Sequence, residues 1–306
     1  MLLSKYRFKR LFREAYAKLR KLGPGAYWSN HLVAHDDWTD SKTVLDSINQ
    51  FHWRNAQYPG YIDLMPVDKA DGLVVVDYGC GPGNDLIGFS EFSKPKKLIG
   101  VDVSKTALSV AETRVALHDK PVEFVQIEEE KNSLPFKSNS IDLIHSSGVL
   151  HHVKNLDMAL VEIRRTLKLG GKLNVMVYNY DSIWLHLYTA FIVQIEQGKY
   201  KDLSISEAFR HVTDGENCPI SHCYRPSEFI EKVENHGFSG KFKGASMSLH
   251  ELELLPKRFA AIKNRNLAKE HSDFLIGLEF NKFGYPTING NVAGINACFE
   301  FTKKEV

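Results

Sequence analysis

The stretch Val76-Asp77-Tyr78-Gly79-Cys80-Gly81-Pro82-Gly83-Asn84-Asp85 decides how the rest of this 306-residue chain is read. The apolar run Leu73-Val74-Val75-Val76 leads into it, as in a strand buried on both faces. Three glycines and a proline then make a tight loop, in which no β-carbon separates the backbone from a ligand. The spacing is G-x-G-x-G. A dinucleotide fold carries G-x-G-x-x-G, with its third glycine one place later, where the helix closes on the strand behind a phosphate. Asp77 stands at the strand end just before the loop.

Working outward, four more short apolar runs follow: Leu98-Ile99-Gly100-Val101, Val122-Glu123-Phe124-Val125, Ile141-Asp142-Leu143-Ile144 and Leu173-Asn174-Val175-Met176-Val177. Helical segments separate them; over residues 155–168, Leu156, Ala159, Leu160, Ile163 and Leu167 mark one face. Alternating strands and helices predict an α/β fold with a parallel sheet and right-handed crossovers. Asp102 ends the second strand, placed to accept hydrogen bonds from both hydroxyls of a ribose. After the third strand come Glu128-Glu129-Glu130, an acid fit to accept from an adenine amino group. Counting back from Leu134 selects Glu130, with Glu129 as the neighbouring register.

Composition narrows the class. At 43% hydrophobic and 25% charged residues, the chain is neither collagenous, disordered nor a small disulfide scaffold. No run of 18 apolar residues predicts a spanning helix. Cys80, Cys218, Cys223 and Cys298 form no C-x-x-C pair, which together with the charged N-terminus suggests a cytoplasmic protein. Overall charge is +2, yet residues 1–22 hold eight basic side chains against Glu14 alone, so the remainder carries −5. Within residues 2–22, Phe8, Leu11, Phe12, Ala15, Tyr16, Leu19 and Leu22 recur at helical steps and predict an amphipathic helix. Such a helix lies on an anionic membrane face or a polyanionic partner, or else packs on the body with its lysines in water. Asp40-Ser41-Lys42 is a candidate start for a second helix through Val44, Leu45 and Ile48.

The ordered set of motifs from Val74 to Asn179 resembles the class I S-adenosylmethionine-dependent methyltransferases, and within them the small-molecule branch that includes quinone-biosynthesis enzymes. The matching pieces are D-Y-G-C-G-P-G, Gly100-Val101-Asp102, Leu134-Pro135-Phe136, Ser140-Ile141-Asp142, Val149-Leu150-His151-His152 and Leu167-Lys168-Leu169-Gly170-Gly171. The resemblance implies a Rossmann-like, doubly wound, seven-stranded sheet whose last strand runs antiparallel beside the sixth. It implies S-adenosylmethionine as cofactor, with Asp77, Gly79, Cys80, Gly81 and Gly83 around the methionine part. Asp102 would hold the ribose, Val103 would touch the adenine, and Ser146, Ser147 and His152 would lie near the sulfonium. Two departures stand out: glutamates replace the usual aspartate after the third strand, and Leu169 replaces a proline. Ser146-Ser147-Gly148-Val149 stands where relatives acting on DNA bases carry an N-P-P-Y-like motif, which argues against DNA as substrate.

Methyl transfer needs alignment and exclusion of water, and a base only where the acceptor holds its proton. His151 and Tyr178 sit at the rim and are the candidate catalytic residues; Arg54 is a candidate partner for the cofactor carboxylate. His211, Cys218, His222 and Cys223 do not match a common zinc spacing, so no metal is expected from them. The expected organisation is a basic helix over 1–25, a cap over 26–70, and a cofactor-binding domain over 71–306 with lid insertions at 180–225 and 249–290. The function expected is methyl transfer to an oxygen or nitrogen of a small polar metabolite, such as a sugar or surface-glycan precursor made at the inner membrane face. The alternatives are a non-catalytic cofactor-binding partner of another enzyme, and an RNA methyltransferase clamping phosphates with residues 5–21.

Overall fold

The computed structural model describes residues 27–29, 31, 42–128 and 133–305. The amphipathic helix expected over 2–22, and Glu129 and Glu130, lie outside the described residues. Among the described residues, no helix is long and apolar enough to cross a membrane.

The strands are β1 (Val74–Tyr78), β2 (Lys97–Asp102), β3 (Val122–Gln126), β4 (Ile141–Ser147), β5 (Leu167–Asn179), β6 (Cys223–Tyr224), β7 (Phe238–Ser246), β8 (Glu279–Phe280), β9 (Pro286–Ile288), β10 (Asn291–Val292) and β11 (Asn296–Lys303). The helices are α1 (Val44–Ala56), α2 (Tyr61–Leu64), α3 (Asn84–Phe92), α4 (Lys105–Val115), α5 (Leu156–Thr166), a π-type helix (Trp184–Glu196), α6 (Ile205–Asp214), α7 (Pro226–Glu234), α8 (Leu249–Leu254), α9 (Arg258–Lys263) and α10 (Lys269–Ile276). The main sheet runs β3-β2-β1-β4-β5-β11-β7, with two-residue β6 added parallel to β5. The first five strands pair in parallel, while β11 is antiparallel to both β5 and β7. That is the doubly wound order the resemblance implies, with the last strand antiparallel, but β6 makes eight strands where seven were expected.

Alternation along β1 shows why its apolar run is continuous. Val75 packs with Phe51, Leu86, Ile87 and Phe89 on one face. Val76 packs with Ile144, Leu160, Ile163, Phe229 and Phe299 on the other. Both valines are fully buried, as a strand covered by helices on two sides requires. The chain order reverses between β1 and β4, so their C-terminal ends open the crevice in which ligands of such sheets bind.

Several elements differ from the sequence reading. Thr43, not Asp40-Ser41-Lys42, caps α1, exchanging hydrogen bonds with Asp46. β5 begins at Leu167 rather than Leu173; Gly170 and Gly171 lie within it, and its register against β4 shifts between Ile141 and Leu143. β5 runs on to Asn179, so Tyr178 is a strand residue. The apolar segment Trp184–Glu196 is wound as a π-helix, closed by Gln197 N–H donating to the Ile192 carbonyl at 3.0 Å. Residues 249–280 hold three α-helices, and the small antiparallel sheet β8-β9-β10 follows them. Strands of two or three residues carry too little periodicity to be seen in sequence.

Candidate active site

The loop Gly79–Gly83 joins β1 to α3 and is held from below. Gly79 and Cys80 both donate backbone N–H to the Val101 carbonyl, at 2.7 and 3.0 Å. Gly81 donates its N–H to Asp102 Oδ2 at 2.9 Å, and Ser104 donates to Oδ1 at 2.8 Å. The three glycines have positive φ but different surroundings. A β-carbon at Gly79 would stand 2.2 Å from Val149 Cγ2, and one at Gly83 would press on Ala111. At Gly81, φ +51°, nothing lies within 4 Å of that position. Gly79 and Gly83 thus serve packing, while Gly81 faces open space. Cys80 turns its thiol into the core beneath the loop, and burial pushes that thiol well up. Only its backbone borders the cleft's loop.

Asp102 is nine-tenths buried. Burial raises its carboxyl, opposed by the N–H donors of Ser104, Gly81 and Val103. The two oxygens together offer about four acceptor sites, so these three donors leave capacity for another. Val103 follows directly, its carbonyl accepting from Gln126.

Across the cleft lies a charged network. Asp85, in the first turn of α3, accepts from Arg54 Nη1 at 2.6 Å and meets His145 Nε2 at 3.2 Å. Burial pushes Asp85 up, but the Arg54 charge and the His145 contact outweigh it and hold the carboxyl below its usual range. Asp77 beside them is carried up to about 7 by burial, with His145 pulling the other way. Arg54 Nη2 also reaches Ser147 Oγ at 3.4 Å, and the Tyr61 hydroxyl bonds the same oxygen. The Ser146 hydroxyl is buried with no hydrogen-bond partner among the described residues. Arg54, Asp85, His145, Ser147 and Tyr61 therefore form one bonded network, with the Asp77 carboxylate felt by it through charge.

His151, His152 and Tyr178 meet on the rim. The His151 ring is 3.9 Å from that of Tyr178 and 4.1 Å from that of His152, centroid to centroid. His151 is fully buried, neither ring nitrogen is bonded among the described residues, and burial pushes it well below its ordinary value. Tyr178 donates its hydroxyl to Asp214 Oδ1 at 2.8 Å. His152 is turned away from the glycine loop: its Nδ1 bonds the Ile220 carbonyl at 2.7 Å, and its ring packs on Trp28. Arg225, just before α7, pairs with Asp181 and Glu270. Of His211, Cys218, His222 and Cys223, Cys218 is grouped with His152 and Asp214 instead.

Sequence reasoning missed three site residues. Asp85 and His145 complete the Arg54 network. Arg114, fully buried in α4, donates to the Pro82 carbonyl at 2.6 Å and to Gln50 Oε1, clamping the loop from behind. Its signal was available: a lone arginine on the apolar face of α4 beside Ala111 and Val115.

Residues 76–175 match the family model described as "Methyltransferase domain". The chain is 33% identical over 153 residues to an uncharacterized 37.1 kDa protein in a transposon of Streptomyces fradiae, covering 49% of this chain and 40% of that one. It is 32% identical over 119 residues to a ubiquinone/menaquinone biosynthesis C-methyltransferase of Hahella chejuensis, covering 37% and 47%. The chain spans less than two thirds of the length of such curated relatives. The YcgJ protein of Bacillus subtilis superposes with a TM-score of 0.52 at 17% identity, covering 79% of this chain and 97% of that one, which shows a shared fold.

Proposed function

We propose that this chain, whose residues 76–175 form a class I S-adenosylmethionine-dependent methyltransferase domain, moves the cofactor's methyl group to an oxygen or nitrogen of a small polar metabolite. The observation that carries this is the joint between Gly81 and Asp102. It sets a bare, left-handed backbone position and a carboxylate side by side at the crevice of the sheet. Those features fit a ligand with a ribose and a compact polar chain.

The bound cofactor supplies an electrophilic methyl on a sulfonium. Everything else is the work of this chain's residues. Asp102 would hold the ribose hydroxyls, Val103 would touch the base, and Gly79–Gly83 would border the methionine part. Arg54, with Nη1 on Asp85 and Nη2 only loosely held by Ser147, would hold the cofactor carboxylate. His151 accepts a hydrogen bond from the acceptor heteroatom, aligning it for in-line attack, an orienting effect that supplies up to ~7–11 kcal/mol of the barrier. Tyr178 acts as a positioning residue, since its hydroxyl is committed to Asp214. Enclosure of these rings beneath α6 and the 215–222 segment supports a small acceptor rather than a polymer.

The test is incubation of the protein with methyl-radiolabelled cofactor and fractionated cell extract. Label in small polar metabolites is expected. Label in RNA or lipid would overturn the acceptor class. Cofactor binding without label in any fraction would favour a non-catalytic partner.

A further inference from the structure

Three side chains from three separate elements converge beneath the lid without satisfying one another. His152 follows β4, Asp214 ends α6, and Cys218 lies in the segment after it. Their Nε2, carboxylate oxygen and Sγ atoms all lie within 4.8 Å of one another. The His152 Nε2 to Asp214 Oδ1 distance is 3.7 Å, too long for a hydrogen bond. It is a few tenths of an ångström longer than the roughly 3.3–3.5 Å edge between a nitrogen and an oxygen on one tetrahedral zinc ion, so a small side-chain shift brings both into ligation.

The surroundings settle which atoms face the centre. The Ile220 carbonyl accepts a hydrogen bond from His152 Nδ1–H at 2.7 Å, which leaves Nε2 as the lone-pair nitrogen near Asp214 and Cys218. A backbone carbonyl on the far nitrogen is the usual partner of a metal-bound imidazole. Asp214 Oδ2 is buried with no hydrogen-bond partner among the described residues, and the Asp214 side chain is 7% exposed. Tyr178 donates to Asp214 Oδ1, orienting the carboxylate and leaving Oδ2 unengaged. A lone pair, an unpaired carboxylate oxygen and a sulfur, all buried, make a hole that only a cation fills well.

We propose that His152, Asp214 and Cys218 bind a borderline-soft divalent cation of the zinc type. One imidazole, one carboxylate and one thiolate suit such an ion, and the two anionic ligands neutralise its charge. Binding displaces the Cys218 thiol proton, now shared with the Ile220 carbonyl at 3.3 Å, to solvent. Three protein ligands leave a fourth position for water or a heteroatom of a bound molecule. Neighbouring Cys223, part of β6, takes no part.

Cobalt(II) titration of the full chain, stripped of metal by chelator, tests this without any activity measurement. One equivalent should bind and give a thiolate-to-cobalt charge-transfer band in the near ultraviolet, displaced by zinc. Cys218→Ser should abolish the band while circular dichroism and binding of the demethylated cofactor persist; Asp214→Asn should weaken cobalt binding at least tenfold; Cys223→Ser should change neither. Absence of the band in the wild-type protein overturns the proposal. So does a band that survives Cys218→Ser or disappears in Cys223→Ser. Because the readout is ligation alone, it stands or falls apart from the methyl-transfer assay.

Discussion

At Gly81 the backbone is left-handed and the place of a side chain is empty, whereas at Gly79 that place is filled by Val149. The two glycines therefore answer differently to the same substitution. Gly81→Ala should cost the fold only about 1–2 kcal/mol, the penalty of a left-handed alanine. It should also weaken binding of the demethylated cofactor at least tenfold in calorimetry, because the new methyl occupies the cleft. Gly79→Ala must displace backbone or Val149 as well, so its loss should appear chiefly in the thermal midpoint. Asp102→Ala removes an anchor from both ligand and loop. Its expected effect on cofactor affinity is a loss of ~1–3 kcal/mol, the scale of a hydrogen bond to a charged group; unchanged affinity would remove Asp102 from the site. These residues were legible because a tight turn, a strand end and their spacing are local properties. The contacts of His152 with Trp28 and the Ile220 carbonyl were not legible, because they are made across the sequence.

Helix α4 shows what an element adds. Its Ala111 lies against Gly83, and its Arg114 reaches the Pro82 carbonyl, so the helix supports the loop by contact and by charge. Burial lowers the Arg114 guanidinium to about 10, which leaves it protonated near neutral pH. Arg114→Met keeps the apolar stem but strips partners from Pro82 and Gln50. With each buried acceptor costing ~1–3 kcal/mol when unpaired, a loss of ~2–4 kcal/mol is expected in urea unfolding, together with weaker cofactor binding. Equal stability of the variant would show that Ala111 packing alone holds the loop. The local sequence shows a lone arginine on an apolar helix face but not what it holds, since its partners lie 32 and 64 residues away along the chain.

Across the whole molecule, Glu251 ties α8 to the sheet. Fully buried, it accepts from Trp184 N–H at 3.1 Å, Ser248 N–H at 2.7 Å and Ile295 N–H at 3.4 Å, joining α8, the π-helix and the approach to β11. Burial carries its carboxyl from an ordinary 4.5 up to about 7, against the pull of these donors. Below the unfolded value the group is protonated in both states and stability is unaffected. Between the two values only the folded chain keeps the proton, so stability falls as pH rises and levels off above the folded value, by ~3 kcal/mol in all. Asp77, also carried to about 7, acts in the same direction. Urea midpoints at about pH 5 and about pH 7.5 should therefore differ less in Glu251→Gln than in the wild-type protein; an equal difference would show that Glu251 is ionised throughout.

The amino-acid order by itself determined the alternating layers, the glycine loop and the acid at the end of β2. Each depends on periodicity or spacing within a few residues, where backbone sterics and strand burial act directly. Only the tertiary structure decided which glycine faces the cleft, what Arg54 and Arg114 hold, and that His152, Asp214 and Cys218 meet. Those outcomes depend on where helices 30 to 100 residues apart come to rest against one sheet, and long-range packing leaves no mark at any single position of the chain.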